Sequence, residues 1–184
     1  MEQNEMVALL RNPSLPTGGV WADLGAGTGN FTWALAELLG PDATIHAIDR
    51  DAKAIVAMRT RQLLTPPAAR IIPIQADVTQ RLALPPLHGV LMANLLHFIR
   101  EQARILRQLS SHLQPGGQLL IVEYEQQHPI SYVPYPVPFA RFASLAAELG
   151  LTDVRQVGSR TSPSSGRILY AASAILPAPA DALL

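Results

Sequence analysis

The sequence predicts a doubly wound α/β fold, a mostly parallel seven-stranded sheet held between two layers of helices in a three-layer αβα arrangement. Three observations predict it. Apolar strand-like segments alternate with helical stripes, the pattern of right-handed crossovers on a parallel sheet. A turn with glycines at alternate positions, Gly25, Gly27 and Gly29, joins the first strand to the helix after it. Asp23, Asp49 and Asp77 fall at the ends of the first, second and third strands, where open α/β sheets bind their ligands.

Each element follows from its pattern. Residues 1–12 carry Met6, Val7, Leu9 and Leu10 on one face of a short helix ended by Pro13, and residues 1–17 read as an N-terminal helix and lid. Pro16, Gly18 and Gly19 make a turn before the strand at residues 20–24. Phe31, Ala34, Leu35 and Leu38 give a helical stripe that stops at Gly40 and Pro41. Residues 43–49 read as the second strand, residues 52–64 as a helix ended by Pro66, and residues 70–78 as the third strand. Residues 89–97 read as the fourth strand. A helix over residues 101–113 presents Ala103, Leu106, Leu109 and Leu113, and leaves Arg100, Arg104 and Arg107 on a solvated face. The fifth strand follows Pro115, Gly116 and Gly117. Residues 125–138, rich in proline and lacking any period, form a long loop of the kind that is usually functional. A helix from Phe139, two last strands over residues 152–158 and 166–175, and a frayed tail over residues 177–184 complete a chain expected to be one domain.

The glycine turn carries the chemistry. Glycines there permit positive φ and let a ligand lie against the backbone, and the next helix aims its unpaired N–H groups at a negative group. A dinucleotide site wants Gly-x-Gly-x-x-Gly. Here Asn30 occupies the third required position and Gly29 comes one residue early, which argues against a nicotinamide-dependent oxidoreductase.

An acidic residue followed by Gly-x-Gly-x-Gly resembles the first motif of the class I S-adenosylmethionine-dependent methyltransferases. Later segments agree in order: the strand ending in Asp49, the Ala76-Asp77-Val78 segment, the Asn94-Leu95-Leu96-His97 segment, and Leu113-Gln114-Pro115-Gly116-Gly117. The resemblance covers residues 18–175. It implies S-adenosylmethionine as cofactor, held by Asp23, Gly25, Ala26, Gly27, Thr28, Gly29, Asp49, Arg50, Ala76, Asp77, Val78, Asn94 and Leu95. Asp49 can accept hydrogen bonds from two vicinal ribose hydroxyls. In the resembled family an acid at Asp77 accepts from the adenine amino group, and the next backbone N–H reaches a ring nitrogen. Asp49 and Asp77 also read as caps of the segments that follow them.

The acceptor side is read from fewer residues. His97 can serve as a base near neutral pH, or as a residue that packs and caps. Tyr132 is the second catalytic candidate, and Glu123, Tyr124, His128 and Tyr135 are further wall residues. The fourth-strand segment lacks the proline and aromatic found in family members that methylate nucleobase or glutamine nitrogens. Asn-Leu-Leu-His is like members acting on small molecules, including quinone or lipid-like rings. The expected reaction is methyl transfer to a small, largely uncharged metabolite, with a catalytically silent cofactor-binding module as the rival. Aminopropyl transfer would need an acidic polyamine pocket that the sequence does not display.

Composition limits the partners. With 14 basic and 14 acidic residues, the chain lacks the positive surface that displaces counterions from nucleic acid. No cysteine is present, which excludes disulfides and thiolate metal sites, and no metal is expected. No run is long and apolar enough to span a bilayer and no signal peptide is visible, so a cytoplasmic protein without a membrane partner is expected. The short stretch before the glycine turn leaves the lid minimal or supplied by a second copy, as in a homodimer.

Overall fold

The computed structural model describes residues 1–162 and 165–178. Helices α1 (Gln3–Leu10), α2 (Asn30–Leu39), α3 (Ala52–Leu64), α4 (Gln102–Ser110) and α5 (Phe139–Glu148) flank strands β1 (Gly19–Leu24), β2 (Ala43–Asp49), β3 (Arg70–Gln75), β4 (Leu87–Ala93), β5 (Leu113–Tyr124), β6 (Thr152–Thr161) and β7 (Ile168–Ile175). The expected fraying of the tail lies, from residue 179 onward, outside the described residues, as do Pro163 and Ser164 of the last turn.

The strands form one sheet in the order β3-β2-β1-β4-β5-β7-β6. The pairs among β1 to β5 are parallel, while β7 runs antiparallel between β5 and β6. The order reverses between β1 and β4, and the crevice at such a switch point is where doubly wound sheets take ligands. Both faces of the sheet are covered. One face packs β1, β4 and β5 under α4 and α5, with Leu106, Leu109, Phe142 and Leu145 buried, and the other packs them under α1 and α2, with Leu10, Trp33 and Leu35 buried. β1 shows the consequence, since Trp21, Ala22, Asp23 and Leu24 are all buried, as strands covered on both sides must be. Gly89 of β4 makes room for the Trp21 ring; a Cβ there would fall 2.1 Å from Cζ3 of that ring.

Several boundaries differ from the sequence expectation. The third strand stops at Gln75, because Asp77 folds back onto Thr79 instead of continuing the ladder. The fourth stops at Ala93. Asn94 adopts φ 53, in the left-handed region, and Leu96–Phe98 form a single 3-10 turn. α4 is shorter than expected and buries Gln102, Ile105, Leu106 and Leu109, so Ala103 and Leu113 do not define its buried stripe. Among the described residues no helix is long and apolar enough to cross a membrane.

Candidate active site

The glycine turn crosses the end of β2. Gly25 and Ala26 donate their N–H groups to Ile48 O at 2.8 and 3.0 Å, and Gly27 N donates to Asp49 Oδ2 at 2.8 Å. Gly29 has φ 87 and heads α2; a Cβ on it would meet the Trp33 ring at 2.7 Å. The turn is therefore held by the end of β2, with the α2 N-terminus directly behind it.

The three aspartates sit in different surroundings. Asp23 is 1% exposed and accepts the Thr32 hydroxyl on Oδ2 at 2.6 Å. Burial pushes its carboxyl up to about 7; the Thr32 hydroxyl opposes that rise and the nearby Asp49 charge adds to it. Asp49 accepts from Gly27 N on one oxygen and from Asp51 N, at 2.9 Å, on the other. The residue that caps α3 is Asp51, which accepts from Lys53 N at 2.8 Å. Asp77 accepts Thr79 N and Thr79 Oγ1 at 2.8 and 2.7 Å on Oδ1, which holds its carboxyl below the usual carboxylate range.

Two cavities open at this edge. The first, about 350 Å³, is lined by Asp23, Gly25, Ala26, Gly27, Thr28 and Asn94 together with Met1, Met6, Asn30, Phe31 and Ala93. The second, about 400 Å³, is lined by Gly25, Asp49, Arg50, Ala76, Asp77, Val78, Asn94 and Leu95 together with Thr79, Phe98 and Ile99. Gly25 and Asn94 belong to both, so the cavities meet there. Asn94 Oδ1 itself is buried with no hydrogen-bond partner in the protein, and a buried acceptor without a donor is costly. Nothing stands within 4 Å of the position a Cβ on Gly27 would take, so the turn's backbone is open to the space. Of the sequence-predicted cofactor residues, only Gly29 lines neither cavity; it packs beneath, against Trp33.

The acceptor-side candidates lie elsewhere. His97 is 2% exposed and lines neither cavity. Its Nδ1 lies 2.5 Å from Glu123 Oε2, while Glu123 Oε1 accepts from Leu96 N at 2.8 Å and His97 N at 3.3 Å. The Phe98 ring, 57% exposed, packs on the imidazole with centroids 4.2 Å apart. Tyr132 lines neither cavity; it stands edge-on to Tyr124, and its hydroxyl accepts from Arg167 Nε at 3.0 Å. Tyr135 donates its N–H to His97 O at 3.0 Å, which ties the 125–138 loop to the 3-10 turn. His128 is exposed.

Sequence reasoning missed Thr32, Thr79, Phe98, Ile99 and the methionines of the N-terminal helix. Thr32 had a readable signal, a hydroxyl one turn into a helix whose start faces a strand-end acid. The methionines had none, since α1 reaches the cavity only through its packing on α2.

A family profile described as a methyltransferase domain matches residues 22–119. The curated ubiquinone/menaquinone biosynthesis C-methyltransferase of Pseudomonas savastanoi pv. phaseolicola is 30% identical over 112 residues, covering 60% of this chain and 43% of that protein. The protein of the same description from Ectopseudomonas mendocina is 28% identical over 134 residues, covering 71% and 52%. The chain thus spans about half the length of the curated relatives it matches. Among solved structures, a SAM-dependent methyltransferase from Aquifex aeolicus aligns with a TM-score of 0.68 at 15% identity, covering 96% of this chain and 99% of that one. Haemonchus contortus phosphoethanolamine N-methyltransferase 2, solved with S-adenosyl-L-methionine, aligns with a TM-score of 0.73 at 15% identity, covering 96% and 53%. At those identities the structural likeness concerns the fold, and the family profile carries the assignment. The chain belongs to the methyltransferase-domain family, the class I enzymes whose cofactor is S-adenosylmethionine.

Proposed function

We propose that this chain transfers the methyl group of S-adenosylmethionine to a carbon of a small, largely uncharged ring acceptor, of the kind handled in ubiquinone and menaquinone biosynthesis. The observation that carries the reading is the pair of cavities joined at Gly25 and Asn94, the first lined by Asp23 and the second by Asp49 and Asp77.

Asp49 would hold the ribose. Each of its oxygens already accepts one backbone N–H, and a carboxylate oxygen has a second lone pair for a hydroxyl. Asp77 has Oδ2 left for an exocyclic amine, with Val78 N beside it for a ring nitrogen. Asp23 would meet the ammonium of the methionine half, and the turn with the α2 N-terminus would favour its carboxylate. When bound, S-adenosylmethionine supplies a methyl on a sulfonium that already carries the activation for displacement. The remaining work is alignment, exclusion of water and removal of one proton. Leu95, Phe98 and Ile99 provide the apolar wall. Glu123 fixes the His97 ring through Nδ1, so Nε2 is the nitrogen that would accept the proton.

Calorimetry with S-adenosylhomocysteine tests the cofactor half: wild type binds, and Asp49→Ala removes most of the affinity. Unchanged affinity in that variant would overturn the ribose assignment. Transfer of labelled methyl to a quinol tests the acceptor half. The burial of His97 favours one second reading, a module that binds cofactor without turnover. Cofactor binding with no methyl transfer across a panel of quinols, phenols and amines would establish it.

A further inference from the structure

The acceptor side holds a cation that the reading above does not use. Arg167, just before β7, is exposed, and among the described residues it forms no ion pair with a carboxylate. Its Nε donates to the Tyr132 hydroxyl at 3.0 Å, and its Nη1 donates to Gln126 Oε1 at 2.6 Å. Both partners are neutral, so the guanidinium keeps its charge uncompensated at the carboxyl edge of the sheet.

An aromatic pair stands beside it. The Tyr124 and Tyr132 centroids are 5.9 Å apart with the rings inclined at 72°, and the His97 ring beyond Tyr124 is buried beneath Phe98. Strand register places Tyr124 beside the first cavity. Ala93, which lines that cavity, is the Cα partner of Val122, and Tyr124 follows two residues later on the same side of the sheet. Tyr132 remains 41% exposed at the far end.

A flat ring laid on Tyr124 gains a ring contact and buried apolar area there. The polar end is more selective. A phenol oxygen that accepts from a guanidinium keeps its own O–H to donate, and positive charge behind that donor favours an oxygen able to carry negative charge. An ether at the same place accepts the hydrogen bond but gains far less from the charge.

We propose that Tyr132 and Arg167 together recognise an acidic hydroxyl, phenolic or enolic, on the rim of a flat acceptor ring laid against Tyr124. The inference rests on the methyltransferase reading and adds the feature of the acceptor that is selected. Arg167 is the positioning residue for Tyr132, and Tyr132 contacts the acceptor.

Fluorescence titrations of naphthol and its methyl ether, methoxynaphthalene, against protein saturated with S-adenosylhomocysteine test it. Wild type binds naphthol about tenfold tighter than the ether. Tyr132→Phe and Arg167→Gln each bring the two probes to within about twofold, while the ether binds as before. Cofactor affinity, measured in parallel, is unchanged in both variants and shows that they fold; if Arg167→Gln loses it, Tyr132→Phe decides, since it removes one oxygen from an exposed ring. Equal affinities in wild type, a preference that survives Tyr132→Phe, or no binding of either probe overturns the proposal. Failure of wild type to bind S-adenosylhomocysteine is a different result, which removes the methyltransferase reading itself and this inference with it.

Discussion

Asp23 at the end of β1 and Glu123 near the end of β5 are 1% and 0% exposed, yet their surroundings have little in common. Asp23 meets one hydroxyl and the wall of a cavity. Glu123 meets two backbone N–H groups and an imidazole nitrogen, and lines no cavity. One carboxyl is poorly satisfied by the protein and open to a ligand; the other is saturated by the protein and locks the β4 turn to β5. A strand-end acid becomes a binding group when its neighbours leave it short of donors, and a structural one when they do not.

Substitutions at four positions break or sharpen that contrast. The largest effect belongs to Glu123→Ala, which strands three buried donors and costs about 3–5 kcal/mol in urea unfolding. Glu123→Gln keeps one acceptor and costs clearly less, and equal losses in the two variants would refute the saturation argument. Next is Asp49→Ala, which weakens S-adenosylhomocysteine binding by about a hundredfold, or about 2.7 kcal/mol, by calorimetry. It leaves Gly27 N short of its acceptor as well.

Asp23→Asn acts in the opposite direction on stability. The carboxyl rises from 3.8 to about 7 on folding, so between those values the folded chain holds a proton that the unfolded chain has lost. Stability from this group is therefore fully present below 3.8, falls as pH rises towards 7, and stays low above it. The asparagine variant lacks that fall and is more stable at pH 8 by roughly 1–4 kcal/mol. Its cofactor affinity drops, and the rise of wild-type affinity with pH up to about 7 disappears. A wild-type stability curve flat across this range would show that Asp23 is better solvated than its burial implies. The smallest effect is that of Asp77→Asn, which retains an acceptor for Thr79 and weakens cofactor binding by only about threefold to tenfold.

All seven strands were readable, but their boundaries were not equally so. β2 and α3 begin and end where their residues say, because Gly40 and Pro41, the Asp51 cap and Pro66 act within a few residues of the boundaries they set. The cavity residues around the glycine turn were legible for the same reason, since Asp23, Asp49 and Asp77 each follow an apolar run and precede a turn. The end of β4 was less legible. Nothing local in Asn94-Leu95-Leu96-His97 announces that Asn94 takes φ 53 or that His97 turns inward. The first accompanies the bond from Asn94 N to Val122 O, and the second depends on Glu123, 26 residues away from His97 along the chain, and on the loop that returns Tyr135 to His97.

The sequence by itself determined the alternation of strands and helices, the sharp glycine turn, and three acids at strand ends, since backbone sterics and apolar periodicity need only near neighbours. Tertiary structure alone decided how each carboxyl is solvated, which of two buried acids faces a cavity, and that Arg167 from the last hairpin meets Tyr132 from the loop after β5. Those outcomes rest on desolvation and on contacts between distant segments. Both are properties of packed neighbours and are absent from any short stretch of chain.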